Sequence, residues 1–170
     1  MKVTRVFTET AAAYEQGKRF IINYGGTRSS KTYSQLQLFF VIAKHSKKKR
    51  IITIVSHSLP HLEGGAVRDF DSILTSEGIE PDTVRTKRPY IYVINKTTIE
   101  FIGFDKPGKA LGAARDILFI NEANKMPFDI CQQLMTRTTE TIFIDYNPAS
   151  DFWVDEHQYH YRHNAAVVHS

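Results

Sequence analysis

Little in this chain points to covalent or membrane stabilisation. A single cysteine, Cys131, among 170 residues excludes an internal disulfide framework and fits a reducing compartment. The longest apolar run, Leu36 with Leu38 to Ala43, is too short to cross a bilayer. Met1 to Arg5 leads into no signal-peptide core. There is no internal repeat and no low-complexity linker. Neither sign of charge dominates: 22 basic against 18 acidic residues leave a net charge of +4, compatible with a nucleic-acid partner without demanding one. The carboxylate cluster of a two-metal nuclease is also missing. The one local excess is Lys47-Lys48-Lys49-Arg50. This compact basic patch reads either as a solvated helix-to-strand connection or as a surface for a polyanion. With 42% hydrophobic and 24% charged residues, the chain has the make-up of one globular domain with its own core.

What is present is an alternation of strands and helices. Residues 1–18 suggest a short helix around the alanines at 11–13. Residues 19–24 and 51–55 are apolar and rich in β-branched side chains, as strands buried on both faces require. Between them, 32–44 carries Leu36, Phe39, Phe40 and Ala43 on one helical face. Residues 58–76 read as a helix interrupted by Gly64-Gly65 and ended by Gly78. Two β-rich runs, 90–94 and 97–102, flank Asn95-Lys96 as a hairpin. Strands follow at 116–120 and 141–145, with a helix at 127–135 opened by Pro127. A helix at 150–161 and a final strand at 165–168 complete the pattern. It predicts an α/β fold: a mainly parallel sheet with helices on both faces and an inserted hairpin.

The most informative segment is the junction of the first strand and second helix, Gly25-Gly26-Thr27-Arg28-Ser29-Ser30-Lys31-Thr32. A buried strand, a glycine turn, then a lysine and a hydroxyl opening a helix is the layout of a phosphate-binding loop. Glycines let the backbone approach phosphate oxygens, and the helix start supplies free N–H groups and the positive end of a dipole. Lys31 would reach the β- and γ-phosphates of ATP, and the Thr32 hydroxyl would hold Mg²⁺. The one departure from G-x-x-x-x-G-K-T is Ser30, at the second glycine position. The bland alternative is a serine-rich loop with a surface lysine.

Two further strand ends carry polar residues. Ile117 to Ile120 runs into Asn121-Glu122, where Glu122 is the candidate general base for an attacking water. Asn121 stands where a metal-holding aspartate is usual, so restoring aspartate there is expected to tighten Mg²⁺. Thr141 to Ile144 runs into Asp145-Tyr146-Asn147-Pro148. There Asn147 is a candidate contact for the γ-phosphate, and Asp145 could support it or bind metal.

The order G-G-T-R-S-S-K-T, F-I-N-E-A-N and D-Y-N-P-A-S resembles the ATPase domain of phage terminase large subunits, particularly the PBSX-like group. The resemblance runs from about Phe20 to the last residue. It implies a P-loop NTPase fold with the Asp145 strand between the other two, and Gly25 to Thr32, Ile117 to Glu122 and Asp145 to Asn147 as Walker A, Walker B and coupling motif. It also implies ATP and Mg²⁺ as cofactors, and double-stranded DNA, a portal protein and a terminase small subunit as partners. A homo-oligomeric ring on the portal, in the cytoplasm of an infected bacterium and away from membranes, follows from the same resemblance. The family adds an RNase H-like nuclease, so these 170 residues are expected to be a truncated, single ATPase domain. Two other readings stand beside this one: a helicase- or recombination-type P-loop ATPase, and a nearly inert nucleotide-binding module.

Several residues carry weaker signals. Arg28 could stabilise transition-state charge in cis and Arg137 in trans, or both could be surface arginines. Tyr14 and Gln16 are candidate adenine contacts. His157, His160 and His163 would align on a helix, a weak metal-binding pattern.

Overall fold

The computed structural model describes residues 2–26, 30–105, 111–149 and 151–170. The elements in chain order are α1 (Arg5–Glu15), β1 (Phe20–Tyr24), α2 (Lys31–His45), β2 (Arg50–Ser56), α3 (Leu59–Leu62) and α4 (Arg68–Ser76). They continue through β3 (Arg85–Thr86), β4 (Tyr90–Ile94), β5 (Thr97–Gly103), β6 (Arg115–Ile120), α5 (Phe128–Thr136), β7 (Thr138–Tyr146), α6 (Trp153–Glu156) and β8 (Ala165–His169). The strands form one sheet in the order β3-β4-β5-β2-β6-β7-β1-β8. Pairings from β5 to β8 are parallel; β3 and β4 are antiparallel extensions at one edge. The expected hairpin is therefore only half an insertion, because its second strand, β5, belongs to the parallel sheet.

The period of two along the strands divides the core into two layers. Ile21, Ile52, Ile54, Phe119 and Phe143 face α1, α2 and α4 through Ala13, Leu36, Phe39, Phe40 and Phe70. Their neighbours Phe20, Ile22, Val55, Ile142 and Ile144 face α5 and α6 through Cys131, Leu134, Trp153 and Val154. Helices on both faces explain why these strands read as continuous apolar runs. Phe39 is the centre of the first layer. It meets Phe143 edge-on at 5.0 Å and Phe119 at 5.6 Å between ring centroids. In the second layer, burial pushes the Cys131 thiol up to about 12, so it is a packing residue rather than a nucleophile.

Three local expectations change. Gly64-Gly65 does not break the helix: the chain passes from α3 to α4 through a π-helical turn, Glu63–Val67. β7 begins at Thr138, three residues before the apolar run, because Arg115 pairs with Thr138 across an irregularity in the β6–β7 register. The helix expected over 150–161 is one α-helical turn, α6, and a 3₁₀ turn, Tyr159–Tyr161, separated by Gln158 in the left-handed region at φ 52°. His157 stacks on Phe128 at 3.9 Å, whereas His160 joins the Tyr146 hydroxyl and Asp155 at 3.1 and 3.0 Å. The histidines thus do not form the helical row that the spacing suggested.

Truncating Phe39 would open a cavity between α2 and the sheet at its most crowded point. Phe39→Ala should lower unfolding stability by about 3–5 kcal/mol, read from denaturant midpoints.

Candidate nucleotide-binding site

β1, β7 and β6 are neighbours, with β7 in the middle. Their carboxyl ends bring together Gly25-Gly26, Asp145 to Asn147, and Asn121-Glu122. This edge of an open parallel sheet is where loops and helix N-termini leave room for a ligand. Thr27, Arg28 and Ser29 lie outside the described residues.

Around the loop, two backbone conformations matter. Gly25 takes φ 157°, and a Cβ there would run into the hydroxyl and carbonyl oxygens of Ser170. Ser30 takes φ 65°, ψ 13°. This is the left-handed conformation that glycine adopts without strain and an L-residue does not. The second-glycine position thus keeps a left-handed backbone although its residue is serine, and the serine carries the strain. α2 starts immediately afterwards. Its first residue, Lys31, is only 7% exposed. The ammonium donates to the carbonyls of Gly25 and Gly26 and to Asn147 Oδ1, each at 2.9 Å. Burial pulls the Lys31 pKa down, while Asp145 and Glu122 oppose that shift.

Asp145 is the hub of the site. It is 1% exposed, yet its carboxylate receives three donors from two segments, the start of α2 and the turn after β6. Thr32 Oγ1 donates to Oδ2 at 2.6 Å, and the Glu122 backbone N–H to Oδ1 at 2.7 Å. Asn121 Nδ2 lies 3.1 and 3.2 Å from the two oxygens, and 3.2 Å from Thr32 Oγ1. Burial raises the Asp145 pKa; Thr32, the Glu122 N–H, Lys31 and Asn121 all work against that rise.

Glu122 follows at φ 52°, ψ 55°, a left-handed conformation unusual for a side chain of this length. Strain of this kind persists only where surrounding contacts fix it, here through the bond from its own N–H to Asp145. Its carboxylate is paired with Lys125 Nζ at 2.6 Å and His61 Nε2 at 3.0 Å. His57 lies against His61, 4.6 Å between rings. His57, His61 and Glu122 offer three ligand atoms within 4.8 Å of one another. The Lys125 ammonium on the same carboxylate oxygen makes this an ion-pair cluster. Desolvation first, then His61 and Lys125, lower the His57 pKa.

The structure thus gathers Gly25, Gly26, Ser30, Lys31, Thr32, Asn121, Glu122 and Asn147. Other candidates lie elsewhere. Tyr14 packs near Phe143, and its charged neighbours are Arg50, Glu140 and Asp116, towards the amino ends of the strands. Arg137 precedes β7 and sits at that same far end. So does the 47–50 patch, where Lys48 and Arg50 both pair with Glu140, at 2.7 and 3.2 Å. Sequence reasoning missed His61 and Lys125; the three-residue step from Glu122 to Lys125 was the available signal. It also missed Trp153, whose indole N–H donates to the Ala123 and Met126 carbonyls at 3.2 and 3.1 Å.

A parallel sheet of this order, with a glycine turn, lysine and helix start at the end of β1, defines the class: a P-loop NTPase-type α/β domain. More particularly, its fold is that of phage large-terminase ATPase domains. Over 99% of this chain it superposes on 46% of the large terminase of a thermophilic bacteriophage, with a TM-score of 0.82 and 16% identity. That thermophilic-phage terminase is similar also in its complexes with ADP and with ATP-gamma-S, at a TM-score of 0.80 and 17% identity in each. The bacteriophage HK97 large terminase matches over 99% of this chain and 39% of its own, with a TM-score of 0.74 and 10% identity. The Thermus phage P74-26 large terminase ATPase domain matches over 99% of this chain and 80% of its own, with a TM-score of 0.68 and 14% identity. The chain spans less than half the length of the thermophilic-phage and HK97 proteins. No protein-family model matches the sequence, and no curated protein is detectably similar to it.

Relieving the strain at residue 30 should be visible. Ser30→Gly keeps the loop's backbone shape and should raise unfolding stability by up to about 1 kcal/mol, measured by denaturant titration. A loss of stability would show that the serine side chain contributes more than its conformation costs.

Proposed function

We propose that this chain is the ATPase domain of a phage large terminase, hydrolysing ATP with Mg²⁺ to drive double-stranded DNA into capsids. The observation that supports it best is the convergence of Lys31, Thr32, Asn121, Glu122, Asp145 and Asn147 at one edge of the sheet. The solved complexes of the thermophilic-phage terminase with ADP and ATP-gamma-S add a nucleotide to a protein of the same fold.

In this reading the loop amides and the Lys31 ammonium bind the phosphates. Lys31 exchanges its contacts with the Gly25 and Gly26 carbonyls for phosphate oxygens. The oxygens offered by Thr32 and Asp145, a hydroxyl beside a carboxylate, suit a hard divalent cation, and the Asn121 amide nitrogen lies 3.2 Å from that hydroxyl as a hydrogen-bond donor. Magnesium, when bound, neutralises phosphate charge. Glu122 leaves its ion pairs with His61 and Lys125 and orients a water. That water's oxygen bonds the γ-phosphorus as the bridging P–O bond to ADP breaks, and the water proton passes to Glu122. Asn147, hydrogen-bonded to Lys31, would contact the γ-phosphate. Arg28 keeps its assignment as a candidate cis arginine.

The portal protein, the small subunit, a homo-oligomeric ring, a following nuclease domain and the host cytoplasm remain parts of the terminase proposal. Among the described residues no helix is long and apolar enough to cross a membrane. DNA would be held through backbone phosphates, because packaging must accept any sequence. The Lys47 to Arg50 patch keeps Lys47 and Lys49 exposed, with Lys48 and Arg50 tied to Glu140. The rival reading, a nucleotide-binding module without turnover, rested on Ser30 and Asn121. The left-handed backbone at Ser30 and the carboxylate at Asp145 supply the loop conformation and the negative charge whose loss that reading invoked.

Two substitutions test this assignment. Lys31→Ala should abolish tight ATP binding in calorimetry; unchanged affinity would remove the phosphate loop. Glu122→Gln should bind ATP normally and hydrolyse it at least about 10²-fold more slowly. Steady-state turnover near the wild-type rate would move the base elsewhere.

A further inference from the structure

We propose that the carboxylate serving the metal side of this site has moved from the β6 strand end to the neighbouring strand: Asp145 performs that role, with Asn121 as its neutral positioning partner. This rests on the nucleotide-site reading above and names which side chain supplies the site's negative charge.

The geometry gives each group a defined part. Asp145 Oδ2 accepts the Thr32 hydroxyl proton at 2.6 Å. A hydroxyl that spends its proton on a carboxylate turns lone-pair density away from it, and that density is what a cation takes. Asp145 therefore aims Thr32 and lends it negative charge without being its competitor. The carboxylate is buried and cannot be stabilised by bulk water, so its other lone pairs go to the Glu122 N–H and the Asn121 amide.

That arrangement explains the residue at 121. Both Asp145 oxygens are acceptors, so whatever faces them must donate, and only the NH₂ end of Asn121 does so. An aspartate at 121 would place a second carboxylate about 3 Å from the first, judged from the Asn121 amide positions at 3.1 and 3.2 Å. An acceptor would then face an acceptor, with no hydrogen bond between the two strand ends. Asparagine at 121 and aspartate at 145 are thus complementary choices for two adjacent strand ends. On this proposal Asn121→Asp alone is not expected to tighten Mg²⁺.

The test compares wild type, Asp145→Asn, Asn121→Asp and the exchange Asn121→Asp/Asp145→Asn in the full chain. Calorimetry with ATP-gamma-S, across Mg²⁺ concentrations and in EDTA, gives the Mg²⁺ midpoint. Mn²⁺ paramagnetic resonance gives metal occupancy, and circular dichroism checks folding. Asp145→Asn should raise the Mg²⁺ midpoint about 10-fold or more, within the range for lost outer-shell partners, and leave EDTA affinity unchanged. Asn121→Asp should not lower the midpoint, and the exchange should return it to within a few-fold of wild type. If Asp145→Asn does not fold, the Asn121→Asp and exchange proteins decide. Tightening in both, beyond wild type, would overturn the proposal and return the metal-side role to position 121. An unchanged midpoint in a folded Asp145→Asn would overturn it too. Wild-type nucleotide affinity indifferent to Lys31→Ala would instead remove the nucleotide site itself, a separable failure.

Discussion

The buried carboxylate of Asp145 is the constraint on which the candidate site depends. It lies at the end of the middle strand of three and draws one donor from the helix after β1 and two from the turn after β6. A charge withdrawn from water is tolerable only when hydrogen bonds replace its hydration. That requirement fixes the relative positions of Thr32, Asn121 and the Glu122 backbone more tightly than apolar packing alone would. The left-handed turn at Glu122 starts from a peptide N–H that Asp145 holds in place.

The polar groups at this sheet edge already satisfy one another. Lys31 is held by the loop carbonyls and Asn147, Glu122 by His61 and Lys125, and Thr32 by Asp145. In the proposed reading a nucleotide would bind by exchanging partners, with little net change in the number of hydrogen bonds. Affinity would then come from the stronger, charge-assisted bonds that phosphate oxygens offer in place of neutral carbonyls.

Much of this was legible in the sequence, for physical reasons that differ by element. The strands of the parallel sheet are apolar on both faces and announce themselves as runs, as Ile51 to Val55 and Ile117 to Ile120 do. The loop was legible because glycines, lysine and threonine fall in fixed order at a strand-to-helix junction. The C-terminal helix is shorter than its periodicity suggests, because periodicity cannot foresee Gln158 turning left-handed, or aromatic side chains preferring rings on other elements. The role of Asn121 was obscured for a deeper reason. Its meaning depends on a residue 24 positions later, on a strand whose neighbour is set by sheet order and not by sequence distance. Read alone, it is a lost charge; beside Asp145, it is the donor that a lone carboxylate requires. His61 was invisible for the same reason, since nothing local links the helix after β2 to the turn after β6.

Trp153 is the only tryptophan in the chain. Its indole N–H is bonded to the carbonyls of Ala123 and Met126, immediately after Glu122, and its ring is packed among Phe128, Phe152 and Tyr159. Indole emission responds to local hydrogen bonding and polarity. The protein accordingly carries a built-in optical reporter on the segment that holds its candidate base, readable without a label or a second indole to confuse the signal.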